Sequence, residues 1–306
     1  MSVTASQVKE LREKSGAGMM DCKKALNETN GDIDAAIDWL RTKGLAAAAK
    51  KSGRIASEGL VAVSVSGQLG AMIELNSETD FVSRNEEFQQ FASTLAKLAL
   101  EADDLDGLNA MDFPDTGRNV VEELTHKIAT IGENMTLRRM QKLSVDHGMV
   151  VPYLHNAVAD GLGRIGVLVG MESGADGAVL SSLGKQIAMH IAATSPASLS
   201  VSDLDPELVA REREVLIEQA KESGKPQEIA EKMVEGRMRK YYEEVVLLEQ
   251  TFVIDGENKV GAVVEKAAKD AGSDIAVSGY AQFVLGAGIE KEETDFAAEV
   301  AAQLGN

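Results

Sequence analysis

The sequence predicts an α+β protein whose core is one antiparallel unit used twice. Three short helical patterns occupy residues 4–44. The order strand, strand, helix, helix, strand then occurs over residues 58–145 and again over residues 149–254. Two further helical patterns over residues 203–240 mark an insertion in the second unit. Sequence identity between the units is weak, so the duplication is inferred from the order of the elements.

The composition excludes several classes of protein. Among the 306 residues, 31 are Lys or Arg and 49 are Asp or Glu, so the net charge of −18 repels phosphate backbones and argues against direct nucleic-acid binding. The single cysteine, Cys22, excludes an internal disulfide and a four-cysteine zinc site. No apolar run approaches the ~20 residues of a membrane span. The polar first residues do not resemble a signal peptide. We therefore expect a cytoplasmic protein that does not bind membranes.

The first 54 residues are expected to form a small helical module. Gly16-Ala17-Gly18 separates its first two helices, and Asn30-Gly31-Asp32 caps the third. Gly44 is expected to end that third helix. The basic stretch Ala46–Arg54 then reads as a helical tail and linker.

Period-two patterns predict one β-hairpin over residues 58–76 and another over residues 149–169. Extended residues 245–254 are expected to supply the last strand of the second unit. Residues 260–306 are expected to form a last piece, with a terminal helix from Thr294. The predicted domains are an N-terminal module, two core subdomains and a C-terminal module, with limits 1–54, 55–146, 147–256 and 257–306.

The motifs that could indicate small-molecule binding or catalysis lack the neighbouring elements or ligands that this chemistry requires. Gly161–Gly166 matches the dinucleotide pattern G-x-G-x-x-G, but an apolar strand pattern follows it, so we interpret it as a hairpin turn. His190 lies on a largely apolar helical pattern and is expected to be a packed core residue. Asp103–Gly107 partly resembles a calcium loop and lacks two ligand positions. No catalytic residue, metal or cofactor is predicted.

The segment Ser77–Ser83 is the strongest candidate for a functional site. Ser83 and Glu86 match a capping box, which predicts that the helix begins after Val82. Phe81 is then left in a tight turn. A bulky aromatic residue at such a position is either buried locally or exposed as a contact for a partner. The sequence favours neither alternative.

Several segments match a known family: Gly16–Leu26, Asn30–Asp32, Thr79–Val82, Ile131–Asn134, Ile187–Ala192 and Ile229–Arg237. Over nearly the whole chain, these segments resemble the translation elongation factor Ts family. The resemblance implies an N-terminal module similar to ubiquitin-associated domains, a duplicated core, a coiled-coil dimerisation hairpin at about 203–240 and a C-terminal module. The chain departs from shorter members near residues 102–117 and 156–163, and at Ser77.

The same resemblance implies a guanine-nucleotide exchange factor, which is not an enzyme. It would bind GDP-bound and nucleotide-free elongation factor Tu, displace its magnesium ion and release GDP. The implied magnesium-displacing residues are Thr79, Asp80, Phe81 and Val82, with Asp80 and Phe81 as the principal contacts. Other implied contacts are Met19, Met20, Ile131, Gly132, Val253 and the helix at 294–304. A homodimer through the hairpin is also implied. Two other readings stay open: a pure adaptor, and a dinucleotide enzyme using Gly161–Gly166.

Overall fold

The structure is a computed structural model that describes residues 3–15, 17–222 and 226–290. Its helices are α1 (Ala5–Ser15), α2 (Met19–Glu28), α3 (Ile33–Lys51), α4 (Glu86–Leu98), α5 (Leu105–Ala110), α6 (Val120–Ile131), α7 (Gly177–Thr194), α8 (Pro206–Glu222), α9 (Gln227–Val245) and α10 (Val260–Ala271). Its strands are β1 (Glu58–Ser66), β2 (Leu69–Ser77), β3 (Asp112–Phe113), β4 (Arg118–Asn119), β5 (Met135–Ser144), β6 (Gly148–His155), β7 (Leu162–Gly163), β8 (Ile165–Ser173) and β9 (Ile275–Val284). The mixture of helix and antiparallel sheet confirms the α+β prediction.

Two sheets form the centre of the molecule. One has the order β5-β2-β1-β7 and the other the order β6-β8-β9. Helix α4 covers one face of the first sheet, and α7 with α10 covers one face of the second. Their remaining faces meet through a third apolar cluster that includes Met72 and Leu168. Each sheet is therefore buried on both sides, between its own helices and the other sheet.

The backbone shows the duplication more clearly than the sequence does. The middle strand of each sheet has an irregular register at the same place, between Glu74 and Leu75 in β2 and between Gly170 and Met171 in β8. The first strand of each unit also carries a glycine with a rare positive φ, at Gly59 and Gly148. Gly59 pairs with Asn76 and Gly148 with Glu172, in each case one residue beyond the register irregularity. The two units thus share their irregularities as well as their order of elements.

The predicted last strand of the second unit is wrong. Residues 245–254 contain the short 3₁₀ turn Leu247–Glu249 rather than a strand of that sheet. Strand β9 pairs with β8 instead, and α10 packs in the second core. Residues 260–284 thus complete the second sheet, which differs from the expected limit at 256/257. The reason is spatial: the edge of β8 needs a partner, and the later segment β9 lies along it.

Helix α3 is also longer than predicted, because Gly44 does not end it. The helix runs from Ile33 to Lys51 and its second half packs against α6. A Cβ atom at Gly44 would lie 3.3 Å from the Cβ of Ala129 in α6, so the glycine permits close helix packing. Lys51 Nζ donates to the carbonyl of Ile128 over 3.2 Å. The N-terminal module is thereby tied to the first unit of the core.

Helices α8 and α9 form the inserted hairpin. Leu208, Val215 and Ile229 are exposed on it, whereas Leu216 is buried. The inner seam is made by Leu216, Ala220, Val234 and Met238. Residues 223–225, between the two helices, lie outside the described residues. No helix in the described part of the chain is long and apolar enough to cross a lipid bilayer.

Candidate partner-binding site

The turn between β2 and α4 contains the residues that the sequence singled out, Thr79 to Val82. Ser77 Oγ donates to the carbonyl of Thr79 over 3.0 Å, and Ser83 Oγ donates to the carbonyl of Asp80 over 2.6 Å. The backbone N–H of Arg84 donates to the carbonyl of Phe81. These bonds satisfy several of the polar groups of the turn from within.

The predicted start of α4 after Val82 is wrong. Residues Val82–Arg84 form a 3₁₀ turn, and the α-helix begins at Glu86 with Asn85 as its N-cap. Asn85 Oδ1 accepts from the backbone N–H groups of Glu87 and Phe88. Ser83 lies inside the 3₁₀ turn, where its hydroxyl donates to the carbonyl of Asp80, and Asn85 occupies the N-cap position instead.

The alternative left open for Phe81 is decided by its exposure. The side chain is 75% exposed, the highest value among the large hydrophobic residues of the described chain. Its neighbour Val82 is only 6% exposed and packs in the first core cluster with Phe88. The tight turn places Val82 inward and Phe81 outward. Asp80, beside it, is exposed as well. The core does not use Phe81, so its apolar surface is available to another molecule.

The structure brings Ile131 and Gly132 next to this turn. Helix α6 ends at Ile131, and Gly132 takes the left-handed conformation with φ 95°, which redirects the chain into β5. Glu133 follows, and its carboxylate accepts from Thr79 twice, from the N–H over 2.9 Å and from Oγ1 over 2.6 Å. Two segments far apart in sequence thus form one surface.

Sequence reasoning did not give Glu133 a role. The residue belongs to Ile131–Asn134, a segment that supplied only family resemblance. A charge at a helix end usually indicates solvent exposure, and nothing local links it to Thr79. Only the pairing of β2 with β5, which sets Ser77 opposite Met135, brings the two together.

Val253 lies in the second unit, exposed, between Leu247–Glu249 and α10. Its backbone N–H donates to Nδ1 of His190 over 3.2 Å. Nδ1 is therefore the acceptor, so the neutral ring carries its proton on Nε2 and donates to Oε1 of Gln250. Burial lowers the pKa of His190, although the bond with Gln250 acts in the opposite direction. His190 is the packed histidine that the sequence predicted, and it fixes the segment that carries Val253.

Met19 and Met20 occupy the first turn of α2 and are strongly exposed, Met20 by 74%. The opposite side of α2 supplies Cys22, Ala25 and Leu26 to the core of the N-terminal module. The two methionines therefore form a separate exposed apolar surface on that module. The helix expected at residues 294–304, including Phe296, lies outside the described residues.

The remaining sequence motifs have structural explanations. Gly161 has φ 71° in a turn, and Leu162–Gly163 pairs with β1 before β8 begins. Gly161 thus lies in the connection of the hairpin, as the turn interpretation predicts, whereas Gly163 belongs to β7 and Gly166 to β8. Asp104 caps α5 by accepting from the N–H of Gly107. Among the described residues, no group of three or more His, Cys, Asp or Glu is arranged to hold a metal ion.

The fold and these surfaces define a duplicated α+β protein with an exposed aromatic residue on an internally bonded turn. A sequence profile described as Elongation factor TS matches residues 78–287. Elongation factor Ts of Rhodospirillum centenum is 60% identical over 304 residues, covering 99% of both chains. Elongation factor Ts of Rhodospirillum rubrum is 61% identical over 304 residues, covering 99% of this chain and 98% of that protein.

Elongation factor Ts of Gluconobacter oxydans is 60% identical over 304 residues, again covering 99% of this chain and 98% of that protein. These comparisons place the chain among the elongation factors of protein synthesis. More particularly, it belongs to the elongation factor Ts family.

Proposed function

We propose that this protein is the guanine-nucleotide exchange factor of elongation factor Tu and acts in the cytoplasm. It would bind both the GDP-bound and the nucleotide-free partner, displace the magnesium ion and release GDP. Family membership supports the role in translation elongation. The observation that carries the proposed mechanism is the exposure of Phe81, whose side chain the core does not use.

The proposed mechanism requires no catalytic group. A factor that binds the nucleotide-free partner more tightly than the nucleotide-bound partner must weaken nucleotide binding by the same factor. A magnesium ion neutralises the phosphates of a bound nucleotide and holds them to the protein. Displacing the ion therefore removes a large part of the nucleotide affinity. Phe81 would insert as a wedge and Asp80 would add an acidic group beside it.

The other contacts of the proposal lie on three parts of the chain, all of them exposed except the half-buried Ile131. Met19 and Met20 would contact the partner from the N-terminal module. Ile131 and Gly132 would contact it beside the wedge. Val253 would add a contact from the second unit, where His190 holds the backbone. The chain carries a net charge of −18, which suits a protein partner better than nucleic acid.

Phe81→Ala tests the proposal directly. If Phe81 is a desolvated anchor, its truncation costs about 2–4 kcal/mol of complex stability. That loss would lower stimulated GDP release by about 30- to 1,000-fold if it falls on the exchange transition state, since each 1.4 kcal/mol is tenfold. Release of labelled GDP from elongation factor Tu measures this, at saturating and subsaturating factor concentrations.

Val179→Ala is the matched control. Val179 is an exposed apolar residue in the first turn of α7, beside the equivalent connection of the second unit. It should leave GDP release unchanged. A Phe81→Ala protein that melts normally and still exchanges at the normal rate would remove Phe81 from the mechanism and overturn the proposal.

We also propose that the α8–α9 hairpin mediates homodimerisation. Its inner seam is filled within the chain, whereas Leu208, Val215 and Ile229 are exposed on it. The double variant Val215→Glu/Ile229→Glu should abolish self-association in light scattering while the chain stays folded. An unchanged molar mass would contradict a dimer through this surface.

A further inference from the structure

Thr79 belongs to the proposed wedge segment, but its side chain is turned towards the protein. Its hydroxyl donates to Oε1 of Glu133 over 2.6 Å, and its backbone N–H donates to Oε2 over 2.9 Å. The carboxylate of Glu133 thus accepts a hydrogen bond from each of the two donors of Thr79. Both residues are half-buried. Hydrogen bonds to an ionised acceptor are roughly twice as strong as neutral ones.

A second connection runs in the opposite direction between the same two segments. Glu78, the residue before Thr79, accepts from the backbone N–H of Asn134, the residue after Glu133. Arg54 pairs with Glu78 at 3.4 Å, and its carbonyl accepts from Nδ2 of Asn134 over 2.7 Å. The turn at 78–85 and the turn at 131–134 therefore hold each other through two carboxylates, each supplied by a different turn.

These bonds leave Asp80 and Phe81 unrestrained by the core. Phe81 projects from the turn and is largely exposed, so its direction depends on the backbone that carries it. A flexible turn would lose conformational entropy each time the aromatic ring enters a partner. A turn already held in one conformation avoids most of that loss, which is the energetic benefit of preorganisation.

We propose that Glu133 is a positioning residue that presets the Phe81 wedge, and that Thr79 acts through Glu133 rather than by touching the partner. This rests on the proposed function, because it concerns the same site. Glu133 would fix the turn in the free protein, so that Phe81 and Asp80 arrive at the exchange transition state already oriented.

A similar pair elsewhere in the chain provides the control. Asp203 accepts from the N–H of Ser200 over 3.0 Å and from its Oγ over 2.6 Å. The chemistry is the same, a carboxylate that takes the hydroxyl and the amide of one residue. This pair lies before α8, outside the proposed site. Asp203→Ala thus reports the effect of losing such a pair without touching the wedge.

The experiment measures GDP release from elongation factor Tu against factor concentration, together with thermal melting, for Glu133→Ala, Thr79→Val, Thr79→Ser and the double variant. Glu133→Ala should lower the saturating release rate by ~10-fold, the effect of one charge-assisted interaction. Thr79→Val, which keeps the amide, should lower it by a smaller factor. Thr79→Ser retains the hydroxyl and should restore the rate to within ~2-fold, and Thr79→Val/Glu133→Ala should resemble Glu133→Ala alone because the pair acts as one unit.

Backbone amide exchange supplies the second readout. Glu133→Ala should accelerate hydrogen exchange at Thr79 in the free protein, whereas Asp203→Ala should not alter it or the release rate. A Glu133→Ala protein with a normal saturating rate, or one with only a raised half-saturating concentration, would overturn the inference. If Glu133→Ala does not fold, the comparison of Thr79→Val with Thr79→Ser decides in the same way.

Phe81→Ala separates this inference from the function on which it rests. If Phe81→Ala impairs release and the Glu133 and Thr79 variants do not, the positioning role is wrong and the wedge stands. If Phe81→Ala also exchanges normally, the proposed function itself fails.

Discussion

The two units of the core share one architecture and differ where the second strand passes into the first helix. In the second unit, β8 reaches α7 through residues 174–176 only, and Asp176 caps the helix directly. In the first unit, β2 reaches α4 through residues 78–85, which add a 3₁₀ turn and the exposed Phe81. The fold closes with the short connection, so the longer one is not required by the architecture.

This difference lies where the first unit carries the proposed binding surface. Both middle strands end at equivalent serines, Ser77 and Ser173, since both lie at the same distance from the shared register irregularity. Ser173 Oγ accepts from the N–H of Ala175 and donates to Asp274, which tightens the short turn. Ser77 instead supports a carbonyl within the longer turn. Within the longer connection Phe81 is exposed, while Val82 packs in the first core.

The largest expected effect comes from a comparison of a core residue with Phe81, which tests whether the side chain of Phe81 contributes to the stability of the fold. Phe88, the first core residue of α4, is fully buried. Phe88→Ala should lower the free energy of unfolding by about 3–5 kcal/mol, because it leaves a cavity. Phe81→Ala should change it by less than about 0.5 kcal/mol, as is usual for exposed sites. Urea denaturation measures both; comparable losses would show that Phe81 also supports the fold.

The next prediction concerns the register irregularity, where the units carry Glu74 and Gly170. Glu74 is fully buried and pairs with Arg139 at 2.6 Å and with Arg138 at 3.1 Å. Glu74→Ala should cost about 3 kcal/mol, the lower end for a broken buried pair, because both arginines stay partly exposed. Gly170, at the equivalent position, has no side chain to form such a pair, so the stabilisation by this buried ion pair is specific to the first unit. Chemical denaturation at pH 7 gives the value, and a loss below about 0.5 kcal/mol would contradict it.

The same carboxylate predicts a pH dependence. Burial alone would raise the pKa of Glu74, but hydrogen bonds from Gly286, Asn76 and Arg139 outweigh it, and the pKa lies below its ordinary value of 4.5. Because the pKa of Glu74 is lower in the folded chain than in the unfolded chain, the unfolded chain takes up this proton at a higher pH as the pH falls. The stabilisation of the folded chain by ionised Glu74 is therefore fully present above pH 4.5. It is lost as the pH falls through the pKa that Glu74 has in the folded chain. Glu74→Gln should show a smaller loss of stability than the wild type over this range.

The smallest expected effect concerns the feature that the units have in common. A Cβ at Gly59 would lie 2.2 Å from the carbonyl oxygen of Leu75, and one at Gly148 would lie 2.1 Å from that of Met171. Both glycines also have a positive φ. Gly59→Ala and Gly148→Ala should each cost about 1–3 kcal/mol by backbone strain. Thermal melting should give similar values for both; a large difference would show that the two irregularities are not equivalent.

The sequence by itself determined the local elements. Period-two runs gave β1, β2 and β8, and helical spacing gave α4, α6 and α7, because an apolar face records which side of an element is buried. It also determined that Phe81 lies in a turn before α4, even though Asn85 rather than Ser83 caps that helix. These features depend on residues that are neighbours in the chain.

Only the tertiary structure decided which distant segments meet. The last strand of the second unit is β9 rather than residues 245–254, since any extended segment has the pattern of a strand and the free edge of β8 selects among them. The hairpin seam passes through Val234 and Met238 because the crossing of two helices, not the spacing along one of them, selects the facing residues. Glu133 meets Thr79 for the same reason: their contact requires the pairing of β2 with β5, and hydrogen bonds over such a separation leave no pattern in the local sequence.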